Sequence, residues 1–372
     1  MAKYRFEQIA INSTEKKKPT EEDRFTYLGL EHLDSGCLKV SRFGSDIAPI
    51  GEKLVMRKGD VLFGKRRAYQ KKVAIAPFDG IFSAHGMVLR PNEDVIDPEF
   101  FPLFISSDYF LDAAIKISVG SLSPTINWRD LKVLEFNLPD LETQRELAKV
   151  LWSINDTIEA YKKLIAATDE LVKSQFIELT SGANLLPISE VCDSYSRGKS
   201  PNYVNNSLIK VINQACIYWD GLRLQNVKYQ DESRFKSANR LKAGAVLLNA
   251  TGTGTLGRSY VFEEKDGVFM ADSHVAVLYT DETILLPRFL QVFFSLPTTQ
   301  ETIYTDCVNG STNQIELSKE KIALVKVPVL TITQQKDFIE FVTQSDKSKF
   351  NVSNRNLSSC LASAKELHWA TT

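Results

Sequence analysis

A short stretch that reads Lys58-Gly59-Asp60-Val61-Leu62 returns 185 residues later as Ala243-Gly244-Ala245-Val246-Leu247. Three further matched pairs follow in the same order, at offsets of 187 to 190 residues. They are Asp79-Gly80-Ile81-Phe82 with Asp266-Gly267-Val268-Phe269, Val119-Gly120-Ser121 with Asn309-Gly310-Ser311, and Asn137-Leu138-Pro139 and Gln144-Arg145 with Lys326-Val327-Pro328 and Gln334-Gln335. Solenoid and propeller repeats are about 20–50 residues long, so this period is too long for either. The sequence therefore predicts two similar domains in one polypeptide.

The composition fits a globular protein of two or three domains, since 43% of the 372 residues are apolar. No apolar run approaches the roughly 20 residues that cross a bilayer, and the first residues do not read as a signal peptide. We therefore expect a soluble, cytoplasmic protein. Its five cysteines lie far apart without C-x-x-C spacing, which predicts reduced thiols and no metal site. They are Cys37, Cys192, Cys216, Cys307 and Cys360.

Charge is balanced, with 45 Lys and Arg residues against 46 Asp and Glu residues. A protein that coats nucleic acid nonspecifically depends on neutralising phosphates, so this balance weighs against that class. Binding to DNA through a local basic patch stays open.

The pattern of strand-like runs, turns and long helical periods predicts an α+β fold in four parts. Residues 1–139 form a first domain of short strands, with one helix at about 98–116. A long helix covers 140–181, with Asp140 as its N-cap and Ser181-Gly182 as its stop. A second domain covers 182–330, and a second long helix covers 331–372.

The central helix carries apolar side chains at alternating spacings of four and three residues, which indicates a heptad seam. A helix of this length spans about 58 Å, far more than one small domain needs for its own core. The seam of the second helix is weaker and loses its phase around residues 344–349. We predict that the two helices pair as an antiparallel coiled coil and hold the domains apart. The seam residues are Leu147, Leu151, Ile154, Ile158, Tyr161, Ile165, Thr168, Val172, Gln175 and Leu179, and in the second helix Phe338, Val342, Leu357 and Leu361.

The strongest candidate for nucleic-acid binding is the basic stretch 64–72, which lies between two predicted strands. It combines phosphate-binding cations with side chains able to contact base edges. The alternative is a solvated charged turn. The candidate residues are Lys65, Arg66, Arg67, Tyr69, Gln70, Lys71 and Lys72.

The corresponding stretch of the second half, 249–259, has an unrelated sequence of small polar residues and one arginine. Similar scaffolds that carry different loops at one place are typical of two readers of different DNA sequences. This stretch also spells G-x-G-x-x-G, but a strand pattern follows where a dinucleotide site requires a helix. The candidates here are Asn249, Thr251, Thr253, Thr255, Arg258 and Ser259.

Other repeated positions add residues near the same predicted face. His85 and His274 each follow a corresponding strand, although a packed or surface histidine is the favoured alternative. The third matched pair adds Ser121 in the first half and Ser311, Thr312 and Asn313 in the second.

The sequence lacks the motifs of the expected catalytic classes. It contains neither N-P-P-Y nor D-P-P-Y for adenine methylation, no P-loop, and no nuclease pattern after Pro139-Asp140. We therefore expect a non-catalytic chain.

Two such domains, each followed by a long helix, resemble the specificity subunit of type I restriction–modification systems. The residues that carry the resemblance are 59–63, 138–145, 213–219, 309–315, and 327–328 with Gln334-Gln335. The resemblance implies two target recognition domains, each reading one half of a bipartite site in double-stranded DNA. It also implies that the helices set the spacer and dock modification subunits. The expected docking residues are Leu147, Leu151, Ile154, Ile158, Tyr161, Ile165, Val172, Leu179, Phe338, Val342, Leu357 and Leu361.

The resemblance further implies that catalysis belongs to bacterial or archaeal partner subunits and that this chain binds no cofactor itself. The partners would use S-adenosylmethionine for methylation and, where a restriction subunit exists, ATP with Mg²⁺ for translocation and cleavage. The alternative is a stand-alone DNA-binding or scaffolding protein without a methyltransferase partner. An enzyme with an unrecognised active site is a third, weaker hypothesis.

Overall fold

A computed structural model describes residues 1–263, 267–310 and 315–348. The described chain divides into two compact units, one from Met1 to Ala160 and one from Tyr161 onward. This division falls inside the long central helix, so the domain limits at residues 139 and 182 stay predictions. No helix of the described chain combines the length and apolar character that a membrane span requires.

The first unit contains two four-stranded sheets and one terminal strand pair. Its elements are β1 Ala2–Arg5, α1 Phe6–Ile9, β2 Ala10–Ser13, β3 Lys16–Lys17, β4 Tyr27–Leu28, β5 Lys53–Met56, β6 Val61–Phe63, β7 Val73–Ile75, β8 Gly80–Phe82, β9 Met87–Pro91, α2 Phe100–Ser106, α3 Asp108–Lys116, α4 Trp128–Leu131, β10 Glu135–Leu138 and the start of α5 Leu141–Leu179. One sheet has the order β2-β9-β6-β7 and is antiparallel throughout. The other has the order β3-β5-β8-β4, in which β4 and β8 run parallel.

The second unit repeats this plan. Its elements are β11 Asn184–Pro187, α6 Ile188–Val191, β12 Cys192–Arg197, β13 Tyr203–Val204, β14 Ile209–Ile212, β15 Ile217–Tyr218, β16 Gly221–Leu222, β17 Lys228–Gln230, β18 Val246–Asn249, β19 Ser259–Val261, β20 Val268–Ala271, β21 Val275–Thr280, α7 Pro287–Ser295, α8 Pro297–Asp306, β22 Val308–Asn309, β23 Glu316–Leu317, α9 Lys319–Ala323, β24 Lys326–Val329 and a helix α10 at 332–348. The antiparallel sheet β12-β21-β18-β19 corresponds strand for strand to β2-β9-β6-β7. The second sheet differs, because β17 pairs with β13 and β14 and no strand between β17 and β18 corresponds to β5.

The repeated stretch forms the same turn in both units. Gly59 and Gly244 have left-handed backbones, with φ angles of 92° and 84°, which glycine adopts without a steric cost. Gly59 N donates to Ala76 O, and Gly244 N donates to Phe262 O, each at 2.9 Å. The predicted duplication is therefore present in the backbone hydrogen bonds as well as in the sequence.

One hydrogen bond near this turn is made by different side chains in the two units. In the first, Asp60 accepts from the backbone N–H of Arg57 at 2.8 Å and forms two bonds with the Arg90 guanidinium. In the second, Ala245 replaces the aspartate, and the Tyr279 hydroxyl accepts from the backbone N–H of Lys242 at 3.0 Å. Both units thus pair the backbone N–H at this position, and a different side chain serves as the acceptor in each.

The predicted single helix at 98–116 is wrong, because the chain forms two helices there. Ser107 has an extended backbone with ψ 148°, which ends α2. Its side-chain oxygen then accepts from Phe110 N and caps α3. A serine favours such a cap because its hydroxyl replaces the missing helical acceptor. The phenylalanine side chains of both helices are buried in the core of the first unit.

The central helix α5 has 39 residues and starts at the predicted cap, where Asp140 accepts from the Thr143 backbone N–H at 2.9 Å. The predicted seam positions are half-buried or buried from Leu147 to Val172, but the seam is wrong at the C-terminal end. Phe176 is buried there, with its ring 4.7 Å from that of Phe289 and 5.5 Å from that of Phe338. The predicted Gln175 and Leu179 are exposed. The core of the second unit thus selects the helix face that continues the 3.6-residue period rather than the heptad.

Each long helix carries one fully buried glutamine, which binds the residue after the preceding strand and the segment before α2 or α7. Gln144 accepts from Asp97 N at 2.8 Å and donates to Val95 O and Pro139 O at 3.1 and 2.9 Å. Gln335 accepts from Leu286 N at 2.8 Å and donates to Ile284 O and Leu330 O at 2.8 and 2.9 Å.

The pairing of these glutamines corrects the alignment of the two halves. Gln144 corresponds to Gln335 and not to Gln334, whose side chain instead accepts from the Thr331 backbone N–H. Pro328 lies inside β24, ahead of the second long helix, which begins at residue 332. The true offset at this place is 191 residues, from residue 144 to residue 335.

Candidate nucleic-acid interface

The basic stretch 64–72 connects β6 and β7, which pair antiparallel, so it is the loop of a hairpin as predicted. A short 3-10 turn, Ala68–Gln70, shapes the loop, and Arg67 and Lys71 on either side have left-handed backbones. Tyr69 is 58% exposed, and Arg66 and Arg67 are exposed as well. These three side chains are available to a ligand.

The remaining polar side chains of the loop are less available. Lys71 forms ion pairs with Asp108 and Asp112 at 2.5 and 2.7 Å, and Lys72 donates to Leu30 O at 2.6 Å. The Lys65 side chain is partly buried, which lowers its pKa, and Lys16 lowers it further. Gln70 is half-buried. Only part of the charge that the sequence displays therefore faces solvent.

Two lysines that the sequence analysis did not select complete a basic cluster around this loop. The pKa of His85 is lowered mainly by burial and then by the positive charges of Arg66, Lys65 and Lys53. Arg66 Nη1 lies 3.4 Å from His85 Nε2. Lys53 comes from β5 and Lys16 from β3, so three separate segments contribute cations to one face. The run Lys16-Lys17-Lys18 is the sequence feature that could have identified Lys16.

The turn that contains Ser121 lies beside the basic loop. Val119 pairs with Thr125 across this turn, and Thr125 in turn forms a bridge with Arg66. Ile126 N donates to Lys65 O at 2.9 Å. Ser121 is exposed at the tip of the turn, so the structure brings it to the same region as Arg66 and His85.

The second unit builds the same corner from other residues. Thr251 occupies the place of Arg66, because it bridges to Glu316 and lies beside a histidine in the same way. Its hydroxyl is 3.0 Å from His274 Nδ1 and donates to Gln214 Oε1 at 2.9 Å. Glu316 also forms an ion pair with Arg197. This corner is mixed in charge, whereas the corner of the first unit is basic.

Two candidates of the second loop are contradicted, because Asn249 and Ser259 are fully buried. Asn249 lies at the end of β18, where its side chain donates to Gln214 O at 3.0 Å, and Ser259 begins β19. Thr253 is exposed, and Thr251, Thr255 and Arg258 are half-buried. Strand pairing on both sides of the loop buries its end residues, which a sequence pattern does not reveal.

The G-x-G-x-x-G pattern forms a turn rather than a nucleotide site. Gly252, Gly254 and Gly257 all have left-handed backbones, and the strand β19 follows, as predicted. The candidates Ser311, Thr312 and Asn313 lie outside the described residues.

Several predicted docking residues serve the cores of the units. Leu147 and Leu151 pack against the core of the first unit, and Val172, Phe338 and Val342 belong to that of the second. Ile154, Ile158, Tyr161 and Ile165 are half-buried, and Leu179 is 37% exposed. Leu357 and Leu361 lie outside the described residues. Val172, Phe338 and Val342 are thus corrected to core residues of their own chain, whereas the docking role of the half-buried residues stays a prediction.

The thiols Cys37, Cys192, Cys216 and Cys307 are free. Within residues 1–263, 267–310 and 315–348, no group of three or more His, Cys, Asp and Glu side chains is placed to hold a metal ion.

Residues 11–168 match the family model of the type I restriction modification DNA specificity domain. This segment belongs to that family. It covers the corner around Arg66 and His85 and most of α5, and the repeated topology extends the same plan to the second unit. The predicted resemblance to specificity subunits is confirmed.

Named relatives agree with this assignment. Over 160 residues, 42% of this chain, the sequence is 29% identical to the type I restriction enzyme EcoDI specificity subunit of Escherichia coli. Over 131 residues, 33% of this chain, it is 28% identical to the HindI specificity subunit of Haemophilus influenzae. The matched segments span only 35% and 28% of the lengths of those relatives.

Two solved structures share the fold over nearly the whole chain. The S subunit of a type I restriction–modification system from M. genitalium has a TM-score of 0.56 at 14% identity, covering 97% of this chain and 93% of that one. A chain from a study of assembly and conformational transition of the type I R-M system has a TM-score of 0.56 at 18% identity, covering 96% of this chain and 94% of that one. The predicted α+β fold with two domains and long helices is confirmed.

Proposed function

We propose that this chain is the DNA-recognition subunit of a type I restriction–modification complex, in which each unit reads one half of a bipartite site. The observation that carries the proposal is the pair of corresponding corners, one around Arg66 and His85 and one around Thr251 and His274. They occupy equivalent places on one topology but present different chemistry. A protein that reads two different sequences needs such a pair, since phosphate contacts fix its position and side chains at base edges give specificity.

The long helices set the distance between the half-sites and dock modification subunits. The docking surface on α5 includes an exposed apolar row outside the predicted seam, formed by Val150, Leu164 and Leu171. These residues are 14 and 7 residues apart, so they lie on one face of the helix. They are 50%, 53% and 49% exposed, which leaves apolar area for a partner to bury.

Catalysis and cofactors belong to the partner subunits. A modification subunit would bind S-adenosylmethionine, and a restriction subunit would bind ATP and Mg²⁺. This chain holds the duplex while each modification subunit flips an adenine out of its half-site.

The proposal is tested by sequencing adenine methylation in the host with and without this gene. The expected result is that one bipartite motif with an unspecified spacer loses methylation throughout the genome when the gene is deleted. Methylation that is unchanged in the deletion strain contradicts the proposal. Purification of the full chain distinguishes the proposal from the alternative. A stand-alone DNA-binding or scaffolding protein would not co-purify with a methyltransferase.

A further inference from the structure

The second unit carries a small hairpin that has no counterpart in the first. β15 and β16 pair antiparallel, with Ile217 opposite Leu222 and Tyr218 opposite Gly221. Trp219 and Asp220 form the two-residue turn between them. In the first unit no strand occurs between the 3-10 turn Leu30–His32, which corresponds to Gln214–Cys216, and β5.

The hairpin is anchored at its base and exposed at its tip. Ile217 and Cys216 are fully buried, which fixes the base in the core. Trp219 is 38% exposed at the tip. A large aromatic ring held partly in solvent by a buried anchor is a common form of ligand contact.

Two arginines flank the tip. The guanidinium carbons of Arg223 and Arg258 lie 4.6 and 4.9 Å from the centre of the Tyr218 ring, within the range of cation–π contacts. Arg223 also donates to both carboxylate oxygens of Asp220 at 2.8 Å. Arg258 donates to Gly254 O at 2.9 Å. Both guanidiniums are therefore held in place before any ligand binds.

The hairpin adjoins the predicted reading loop of the second unit. Gln214, at the start of the turn that leads into the hairpin, binds both Thr251 and Asn249 of that loop. Arg258 comes from the end of the same loop and contacts the hairpin through Tyr218. The hairpin and the loop thus form one continuous surface.

This surface supplies chemistry that the second loop lacks. The loop 249–259 carries a single cation, whereas the loop 64–72 carries five. Duplex DNA is bound by arginines at phosphates and by aromatic or apolar side chains at exposed base steps and sugars. The hairpin adds both kinds of group beside the loop.

We infer that Trp219 and the Tyr218–Arg223–Arg258 group form a second DNA-contacting element of the second unit, with Trp219 against bases or sugars and Arg258 at a phosphate. The inference rests on the proposed function, because it assumes that this unit binds duplex DNA. Of the residues it assigns, Tyr218, Trp219 and Arg223 lie outside the reading loop, and Arg258 belongs to it.

The test uses the full chain assembled with its modification subunits and a library of random duplex DNA, from which bound sequences are selected. Trp219→Ala is expected to weaken binding by roughly 5- to 100-fold, as base–aromatic contacts do elsewhere, without changing the salt dependence. The selected motif should lose information in one half-site only. Trp219→Phe should retain most of the affinity. Leu208→Ala, at a 76% exposed apolar residue of the same unit, is the matched control and should change nothing.

A Trp219→Ala complex with wild-type affinity and an unchanged motif overturns the inference while the proposed function stands. A wild-type complex that selects no motif overturns the proposed function itself. If Trp219→Ala does not fold, photo-crosslinking of the wild-type complex to DNA that contains 5-iodouracil tests the inference instead. Crosslinked peptides should then contain residues 217–223, and their absence overturns the inference.

Discussion

The corners around Arg66 and Thr251 share a backbone and differ in chemistry. Around Arg66 the face is basic, with cations from β3, β5 and the hairpin loop. Around Thr251 it is polar and mixed in charge, with the Arg197–Glu316 ion pair beside it. The backbone hydrogen bonds below both corners correspond, including those of Gly59 and Gly244. The scaffold is therefore fixed by buried contacts, and the exposed side chains are free to differ.

The physical reason for this freedom is the small cost of changing exposed residues. A substitution on the surface usually alters stability by less than about 0.5 kcal/mol, whereas breaking a buried network costs several times more. Two copies of one domain can thus acquire different binding faces without losing the fold.

The largest expected effect comes from exchanging a whole unit. Replacing residues 1–139 with the first unit of another specificity subunit should change one half of the methylated motif completely and leave the other half intact. Genome-wide methylation sequencing measures this, and exchange of 182–330 is the reciprocal control. A change in both halves would show that the units do not read independently.

The two buried glutamines should be equally important to their units. Gln144→Leu leaves one N–H and two carbonyl groups without their partner, and Gln335→Leu does the same in the second unit. Each should destabilise its own unit by about 3 kcal/mol. Hydrogen exchange reports the two units separately. The exposed Gln175→Leu is the control and should have little effect, whereas unequal losses at 144 and 335 would contradict the equivalence.

The Asp60–Arg90 pair can be replaced by its counterpart from the second unit. Asp60→Ala alone should destabilise the first unit by about 2 kcal/mol, because Arg57 N and the Arg90 guanidinium lose their partner. Adding Arg90→Tyr gives the first unit the same residue pair as Ala245 and Tyr279 in the second unit. The double variant should recover most of the lost stability. Hydrogen exchange of the first unit measures both steps, and a double variant no better than the single one would refute the interchangeability.

The basic corner should contribute more to salt dependence than the mixed one. Neutralising Arg66 and Arg67 should reduce the slope of log affinity against log salt concentration by up to about 1.8, at about 0.9 for each phosphate contact. Arg258→Gln should reduce it by up to about 0.9. Arg129→Gln, at an exposed arginine on α4, is the control. Equal slopes for all variants would show that the loop 64–72 is a solvated charged turn that does not contact phosphates.

The smallest effect concerns His85, whose pKa is lowered from 6.5 by burial and by Arg66, Lys65 and Lys53. A lowered pKa means that the folded state binds fewer protons than the unfolded state. The contribution of His85 to stability is therefore complete above about pH 6.5 and declines as the pH falls through 6.5 towards the folded pKa. In an NMR titration, Arg66→Gln should raise the pKa of His85, and no change would show that the neighbouring charge has little influence there.

Much of the architecture was predictable because it depends on local patterns. The repeated glycine turns require left-handed backbones, the heptad spacing identifies a long helix, and Asp140 provides a cap for it. These features act over a few residues, so the sequence displays them directly. The duplication gave the two-domain plan for the same reason.

Tertiary structure alone determined which candidate side chains are presented. Lys71 and Lys72 look like free cations, but distant residues bind them, and strand pairing buries Asn249 and Ser259. Phe176 rather than Leu179 lies in the core because the second unit packs against the helix face that carries Phe176. Lys16 and Lys53 join the basic corner although they are far away in sequence. Burial and charge clustering depend on which segments meet in space, and a linear pattern carries little information about contacts over such separations.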